Sequence, residues 1–178
     1  MIMMAARKTA MFTLTERLTI SATDTDALAG IDLGSYVDVG DRQALQVHSV
    51  DYIFQGTTAN DQLPDSILQG QSIMVQVTDL NRGGLVFATD RAMISSAALY
   101  QSGAGDLNIE TDLYPDNYGK GADDGRFVVN DQLYVTGLCT GVASNESINV
   151  TVRVNASIVT LGAKDFMAIA IQSTAADN

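Results

Sequence analysis

The sequence predicts an all-β fold, an antiparallel β sandwich of about eight strands built by a single domain. Three observations carry this expectation. Residues 146–161, ESINVTVRVNASIVTL, hold a period of two: Ile148, Val150, Val152, Val154, Ala156 and Ile158 alternate with Asn149, Thr151, Arg153, Asn155 and Ser157. That is the pattern of a strand with one buried and one wet face. The rest of the chain breaks into short β-rich runs between turn signals, with no sustained helical period. Its 178 residues, 46% of them apolar, suffice for one domain with its own core, burying roughly 70% of the surface the unfolded chain exposes. Evenly spaced short strands of this kind suit a sandwich, a jelly roll or a barrel.

Taken in order, residues 1–10 read as an N-terminal arm. Met1, Ile2, Met3 and Met4 form an apolar tip, and Arg7 and Lys8 follow it. That order is the reverse of a secretory signal, so the end reads as unprocessed. The tip is expected to make a contact between copies. Residues 11–178 read as the sandwich domain. In MFTLTERLTIS, Phe12, Leu14, Leu18 and Ile20 share one parity, broken by Glu16. ATDTDALAGIDLGS (22–35) reads as a loop with at most one helical turn. ALQVHSVDYIFQ (44–55) places Leu45, Val47 and Ile53 on one face and Val50, Tyr52 and Phe54 on the other, which suggests a strand covered twice. After the loop 56–65, Ile73, Val75 and Val77 mark the next strand. NRGG (81–84) reads as a hairpin turn, and LVFATDRAMISSAALY (85–100) as its returning strand, bent near Asp90 and Arg91.

Residues 101–125 are the main irregular stretch, rich in glycine and carboxylates. A loop of this length in a compact domain is uncommon and usually functional. It is expected on the outer surface or rim. Three more strands follow: RFVV, QLYVTGLCT after a turn at Asn130–Asp131, and the alternating strand over 147–160. FMAIAIQS (166–173) reads as the last strand.

Charge and composition exclude several functions. The net charge is −11, from 21 acidic and 10 basic residues, which argues against direct nucleic-acid binding. It keeps separate subunits soluble and mutually repelling, and suits a saline medium. No apolar run approaches the ~20 residues of a membrane span. Cys139 is the single cysteine, so an internal disulfide and a CxxC metal site are both ruled out.

The search for chemistry returns little. His48 is the lone histidine, set mid-strand beside Val47 and Val50, with no spacing that supplies a nucleophile or second base. It reads as structural or interfacial. The metalloprotease, nucleophile-elbow and P-loop patterns are absent. GKGADDG (119–125) has its lysine in the wrong place for a phosphate cradle, and its two aspartates would repel phosphate. Carboxylates gather at Asp24, Asp26 and Asp32, and at Asp112, Asp116, Asp123 and Asp124. The second group is the better calcium candidate. DTDALAGID fails the EF-hand pattern, with Leu28 at its fifth position and a late glycine. Paired aspartates can serve a glycosidase, but the chain lacks tryptophan and is only 6% aromatic, so sugar-stacking platforms are scarce. No enzyme activity and no obligatory cofactor is expected. Asn145, Asn149 and Asn155 each open an N-x-[ST] sequon. A strand face rich in Asn, Ser and Thr is the simpler account of them.

VNDQLYVTGLCTGVASNESINVTVRVNASIVTLGAKDF (129–166) resembles the closing strands of single jelly-roll viral major capsid proteins, particularly those of archaeal and environmental icosahedral viruses. The resembling features are the D-Q-L-Y strand, the Ser/Asn turn, the long alternating strand and the V-T-L-G-A-K-D-F exit. The resemblance implies an eight-stranded single jelly roll, with two four-stranded sheets face to face. It implies a structural virion protein that self-assembles as a homo-oligomer into an icosahedral capsid, partnered by itself and by other capsid proteins. This sequence departs from many small-virus capsid proteins in lacking an Arg/Lys-rich N-terminal arm. Arg7, Lys8 and Arg17 are too few to neutralise a genome, which a membrane or another protein would then separate from the shell. A surface-layer or adhesin-type extracellular β sandwich is the alternative, and calcium loops and glycans would suit it. A cupin-type enzyme would need several metal-binding histidines.

Overall fold

A computed structural model describes residues 5–60, 63–104, 106–111 and 125–174. Among them lie ten strands: β1 (Ala6–Arg7), β2 (Phe12–Ile20), β3 (Ala27–Asp32), β4 (Gln43–Gln55), β5 (Ser72–Thr78), β6 (Met93–Gln101), β7 (Leu107–Thr111), β8 (Arg126–Val128), β9 (Gln132–Cys139) and β10 (Ile148–Thr160). Two helices complete the list, the single turn α1 (Leu63–Ser66) and α2 (Ala163–Thr174).

The strands form two antiparallel five-stranded sheets. In the first, β10 lies between β4 and the edge formed by β2 and β1, and β8 flanks β4. The second runs β3–β9–β5–β6–β7. Set β1 and β7 aside, and the pairs β5·β6, β4·β8, β3·β9 and β2·β10 nest one inside the next. That is one long hairpin rolled into two sheets, the topology of a jelly roll. The expected all-β sandwich is present. It carries two strands beyond the expected eight, so the sheets have five strands each and not four.

The core fills the space between the sheets. Ile148, Val150, Val152, Val154 and Ala156 of β10 are fully buried, as their period of two requires. They face Ile73, Val75, Val77, Leu99, Leu133 and Val135 of the second sheet within one apolar cluster. The Tyr52 hydroxyl donates to Ser95 Oγ across this interior at 2.8 Å, tying the sheets together. Gly137 in β9 is required by close approach. A Cβ there would stand 2.6 Å from Leu18 Cδ2 and 3.1 Å from Ile20 Cδ1, so any side chain would push β2 off the core. Glu16, on the core-facing parity of β2, sits half-buried at the sheet's edge, where an inward charge discourages edge-to-edge pairing.

Several expectations are corrected. The two faces assigned to residues 44–55 are largely one face. The β4·β10 register slips where Asn155 pairs with Ser49 but Ala156 with Val47, leaving His48 as the extra residue of a bulge. A bulge reverses parity, so Leu45, Val47, Val50, Tyr52 and Phe54 all pack on the main core. Only the first half of β4 is covered on its other face, where Ala44 joins a second cluster of Phe127, Val129, Val159, Leu161 and Phe166.

Residues 166–173 are part of α2 and not a strand. An alternating apolar run this short also fits a helix, and Phe166, Ile169 and Ala170 share the face that packs on the second cluster. The supposed loop 22–35 contains β3. Its inward Ala27, Ala29 and Ile31 and its Gly30 give a weak strand signal. NRGG does turn, with Gly83 at φ 74 and its amide bonded to Asn81 Oδ1 at 2.9 Å. It lies inside an irregular connection, residues 79–92, and does not join two strands as a tight hairpin. The stretch 101–125 contains β7, and residues 112–124 lie outside the described residues.

Candidate assembly surface

The outer faces of the two sheets differ in which side chains they leave exposed. On the first, the register sets out rows of three: Thr13–Asn155–Ser49, Thr15–Arg153–Asp51, Arg17–Thr151–Ile53 and Thr19–Asn149–Gln55. Most of these side chains are polar because their parity is opposite to the core's. They also bond one another across strands. Asn155 Oδ1 accepts from Thr13 Oγ1 at 2.8 Å, while its amide donates to Ser49 Oγ at 2.9 Å and Asp51 Oδ2 at 3.1 Å. Asn149 Oδ1 accepts from Thr19 Oγ1 at 2.8 Å, and its amide donates to the Gly56 carbonyl at 2.8 Å. The two mid-strand sequon asparagines thus act as cross-strand ties. Asn145 is different: it is exposed in a turn with φ 62.

The second sheet's outer face is mixed, with Gln76, Ser96 and Thr136 among its polar side chains. Leu28 of β3, Leu138 of β9, Met74 of β5 and Ala98 and Tyr100 of β6 share its parity. The segment 79–92 folds onto this face. Gln76 clamps it at both ends of its amide: its Nε2 donates to the Val86 carbonyl and its Oε1 accepts from the Val86 amide, both at 2.8 Å. A shallow hollow of about 170 Å³ results, lined by Met74, Gln76, Val86, Phe87, Ala88 and Met93. At its rim Phe87 is 87% exposed, beside Met74 at 36%, while Tyr100 and Leu28 stand at 46% and 48% elsewhere on the sheet. Phe87 with Met74 is the candidate contact, since clustered apolar exposure marks interaction sites and single exposed residues do not. A smaller apolar stripe, Met167 and Ile171, lies exposed on α2.

The other candidates do not converge. His48 Nε2 lies 2.9 Å from Ser157 Oγ, and that hydroxyl donates to Gln46 Oε1 at 3.2 Å. All three are buried, so the pairing is a satisfied polar network under the second cluster, without substrate access. Burial pushes the Cys139 thiol pKa up, which keeps it protonated and unreactive. Asp32 spends its carboxylate on the Gly34 amide at 2.8 Å. Asp24 adopts φ 49 in the turn before β3. Among the described residues no group of three or more His, Cys, Asp or Glu side chains could hold a metal. Asp112, Asp116, Asp123 and Asp124 lie outside the described residues. No helix among the described residues is long and apolar enough to cross a membrane.

Sequence reasoning missed Phe87, Met74 and Gln76 as a surface. Phe87 lies within the strand expected over 85–100, where an aromatic residue signals core. No local pattern records that a glutamine four residues into β5 will hold the returning chain against the sheet.

The strand order defines a jelly-roll β sandwich, with an exposed apolar patch at Phe87 and Met74. No protein-family model and no curated protein sequence matches the chain. Solved structures similar to it include VP1 of chimpanzee polyomavirus in its apo form, at 10% identity and a TM-score of 0.46, covering 88% of this chain and 99% of that one. VP1 of trichodysplasia spinulosa-associated polyomavirus, in complex with 3′-sialyllactose, is similar at 9% identity and 0.44, covering 91% and 98%. The unassembled pentamer of Merkel cell polyomavirus VP1 is similar at 9% identity and 0.44, covering 86% and 97%. At such identities and scores the likeness transfers no residue and no activity.

Proposed function

We propose that the chain is a structural virion protein, located in the capsid, whose copies assemble into an icosahedral shell. The observation that carries this reading is a jelly roll with an exposed apolar patch, Phe87 beside Met74, over the outer side of its second sheet. Viral capsid domains are among the uses of this architecture. An exposed apolar patch on a chain of net charge −11 suits a subunit that is soluble alone and buries that patch against a copy. The resemblance of residues 129–166 to archaeal and environmental capsid proteins supports the same reading, with other capsid proteins as further partners and no direct contact with the genome. The proposal assigns no catalytic role to the chain.

Electron microscopy of the purified protein tests it. Closed shells or ring-shaped capsomers are expected. Flat two-dimensional sheets would favour a surface-layer protein, and monomers at every concentration would refute assembly.

A further inference from the structure

Asp79 directly follows β5 at the base of the 79–92 segment. Its amide donates to the Ala92 carbonyl at 3.0 Å, so the two ends of the segment meet there. Its own carbonyl accepts from Asn130 Nδ2 at 2.7 Å. The side chain is 2% exposed. Its Oδ2 lies 3.4 Å from a guanidinium nitrogen of Arg126, which opens β8 in the opposite sheet. Oδ1 is buried with no hydrogen-bond partner among the described residues, and so is Arg126 Nε. The Arg126 guanidinium also donates to the Arg91 carbonyl. A single long contact therefore joins the Asp79 and Arg126 side chains, with an unused donor on one and an unused acceptor on the other.

We propose that the Asp79–Arg126 pair is a proton-operated latch between the two sheets, holding the 79–92 segment more firmly when Asp79 carries a proton than when it is ionised. A buried carboxylate with one long contact and one orphan oxygen is poorly compensated for lost hydration. A proton removes that charge, while Arg126 keeps partial solvent contact and its bond to the Arg91 carbonyl. The charged groups facing Asp79 among the described residues are Arg126 from β8 and, more weakly, Arg82 from the segment, itself paired with Asp90 at 2.9 Å. Burial outweighs both cations and raises the Asp79 pKa from 3.8 to about 6. With the folded value above the unfolded one, the proton's stabilisation is complete below about pH 3.8 and is lost as pH rises through about 6. Mild acid thus tightens the base of the segment that carries Phe87, and neutral pH loosens it.

Chemical unfolding of the full chain from pH 4 to 8, with hydrogen exchange at pH 5 and 7, tests the latch. Asp79→Asn should raise the folding equilibrium constant at pH 7 by roughly 10- to 100-fold and remove about one proton's slope between pH 4 and 6, read as the difference between variant and wild-type profiles. Protection factors over residues 80–91, corrected for intrinsic exchange, should be higher at pH 5 than at pH 7 in the wild type and equal in the variant. Arg126→Gln keeps the carboxyl but removes its counter-charge, and should move the falling limb to higher pH. An Asp79→Asn chain with the wild-type slope, or less stable than wild type at pH 7, overturns the proposal. So does an Arg126→Gln limb that stays in place or moves to lower pH, and this second variant decides the matter if the first does not fold.

Discussion

The outer faces of the two sheets come from the same kind of strand and differ in how particular side chains are satisfied. On the first, Asn149 and Asn155 use both ends of their amides on the neighbouring chain segments, so these two side chains offer nothing further to a partner. On the second, the amide of Gln76 is spent on the Val86 backbone, and Met74, Tyr100 and Phe87 are left to water. Alternation alone determines which side chains avoid the core. Whether that leftover face stays solitary or seeks company depends on whether its residues can bond one another. Hydrogen bonds between neighbours cost a partner as much to break as it returns, whereas exposed apolar area gains roughly 25 cal/mol per Å² when covered.

The largest effect should come from breaking what the faces share. Val152 is fully buried in the middle of β10, between β2 and β4. Val152→Asp buries an unpaired charge at a cost of several kcal/mol, and should abolish folding, with circular dichroism and solubility as the readouts. Folded, soluble Val152→Asp protein would refute the assignment of β10 to the centre of the core.

β10 was legible because its pattern is local: five inward apolar residues in strict alternation need no knowledge of the rest of the chain. Residues 22–35 were not, because the pairing of β3 with β9 makes a strand out of alanines and a glycine that show little preference by themselves. The bulge at His48 was hidden for a related reason. It is set by which residues of β10 stand opposite, and the sequence of β4 alone reads as a regular strand with two apolar faces. FMAIAIQS satisfied both periods, and the apolar patch made by Phe127 and Val159 outside the first sheet decided for the helix. The candidate surface was the least legible part, since it depends on a fourteen-residue connection folding back onto the sheet it leaves.

The next largest effect separates the two faces. Phe87→Asp combined with Met74→Asp changes exposed side chains of the apolar patch and should leave the fold intact while abolishing assembly in size-exclusion chromatography. Thr15→Asp with Thr151→Asp adds the same charge to the polar face and should leave assembly close to wild type. Equal losses from both pairs would mean that charge alone, and not the apolar surface, governs association.

Smaller still is the contribution of one tie on the polar face. Asn155→Ala removes the bonds to Thr13, Ser49 and Asp51. These are partly exposed and water replaces them, so the expected cost is about 1 kcal/mol. Thermal unfolding should fall by roughly 2–4 °C, with assembly unaffected. A much larger fall would mean that the ladder, and not the core, sets the register of β10.

The smallest and most graded effect should be that of salt. Each copy carries a net charge of −11, so bringing copies together works against repulsion that neither outer face removes. Screening extends to about 30 Å at 0.01 M ionic strength and only about 3 Å at 1 M. Association through the apolar patch should therefore weaken progressively as salt is diluted, with light scattering as the measure. A chelator separates two sources of that help. If Asp112, Asp116, Asp123 and Asp124 bind calcium, chelation should lower scattering at constant ionic strength. If they are solvated surface, only dilution should matter. Particles that stay intact in dilute chelating buffer would show that apolar contact outweighs the repulsion by itself, and that the acidic residues serve the free subunit's solubility and not the shell.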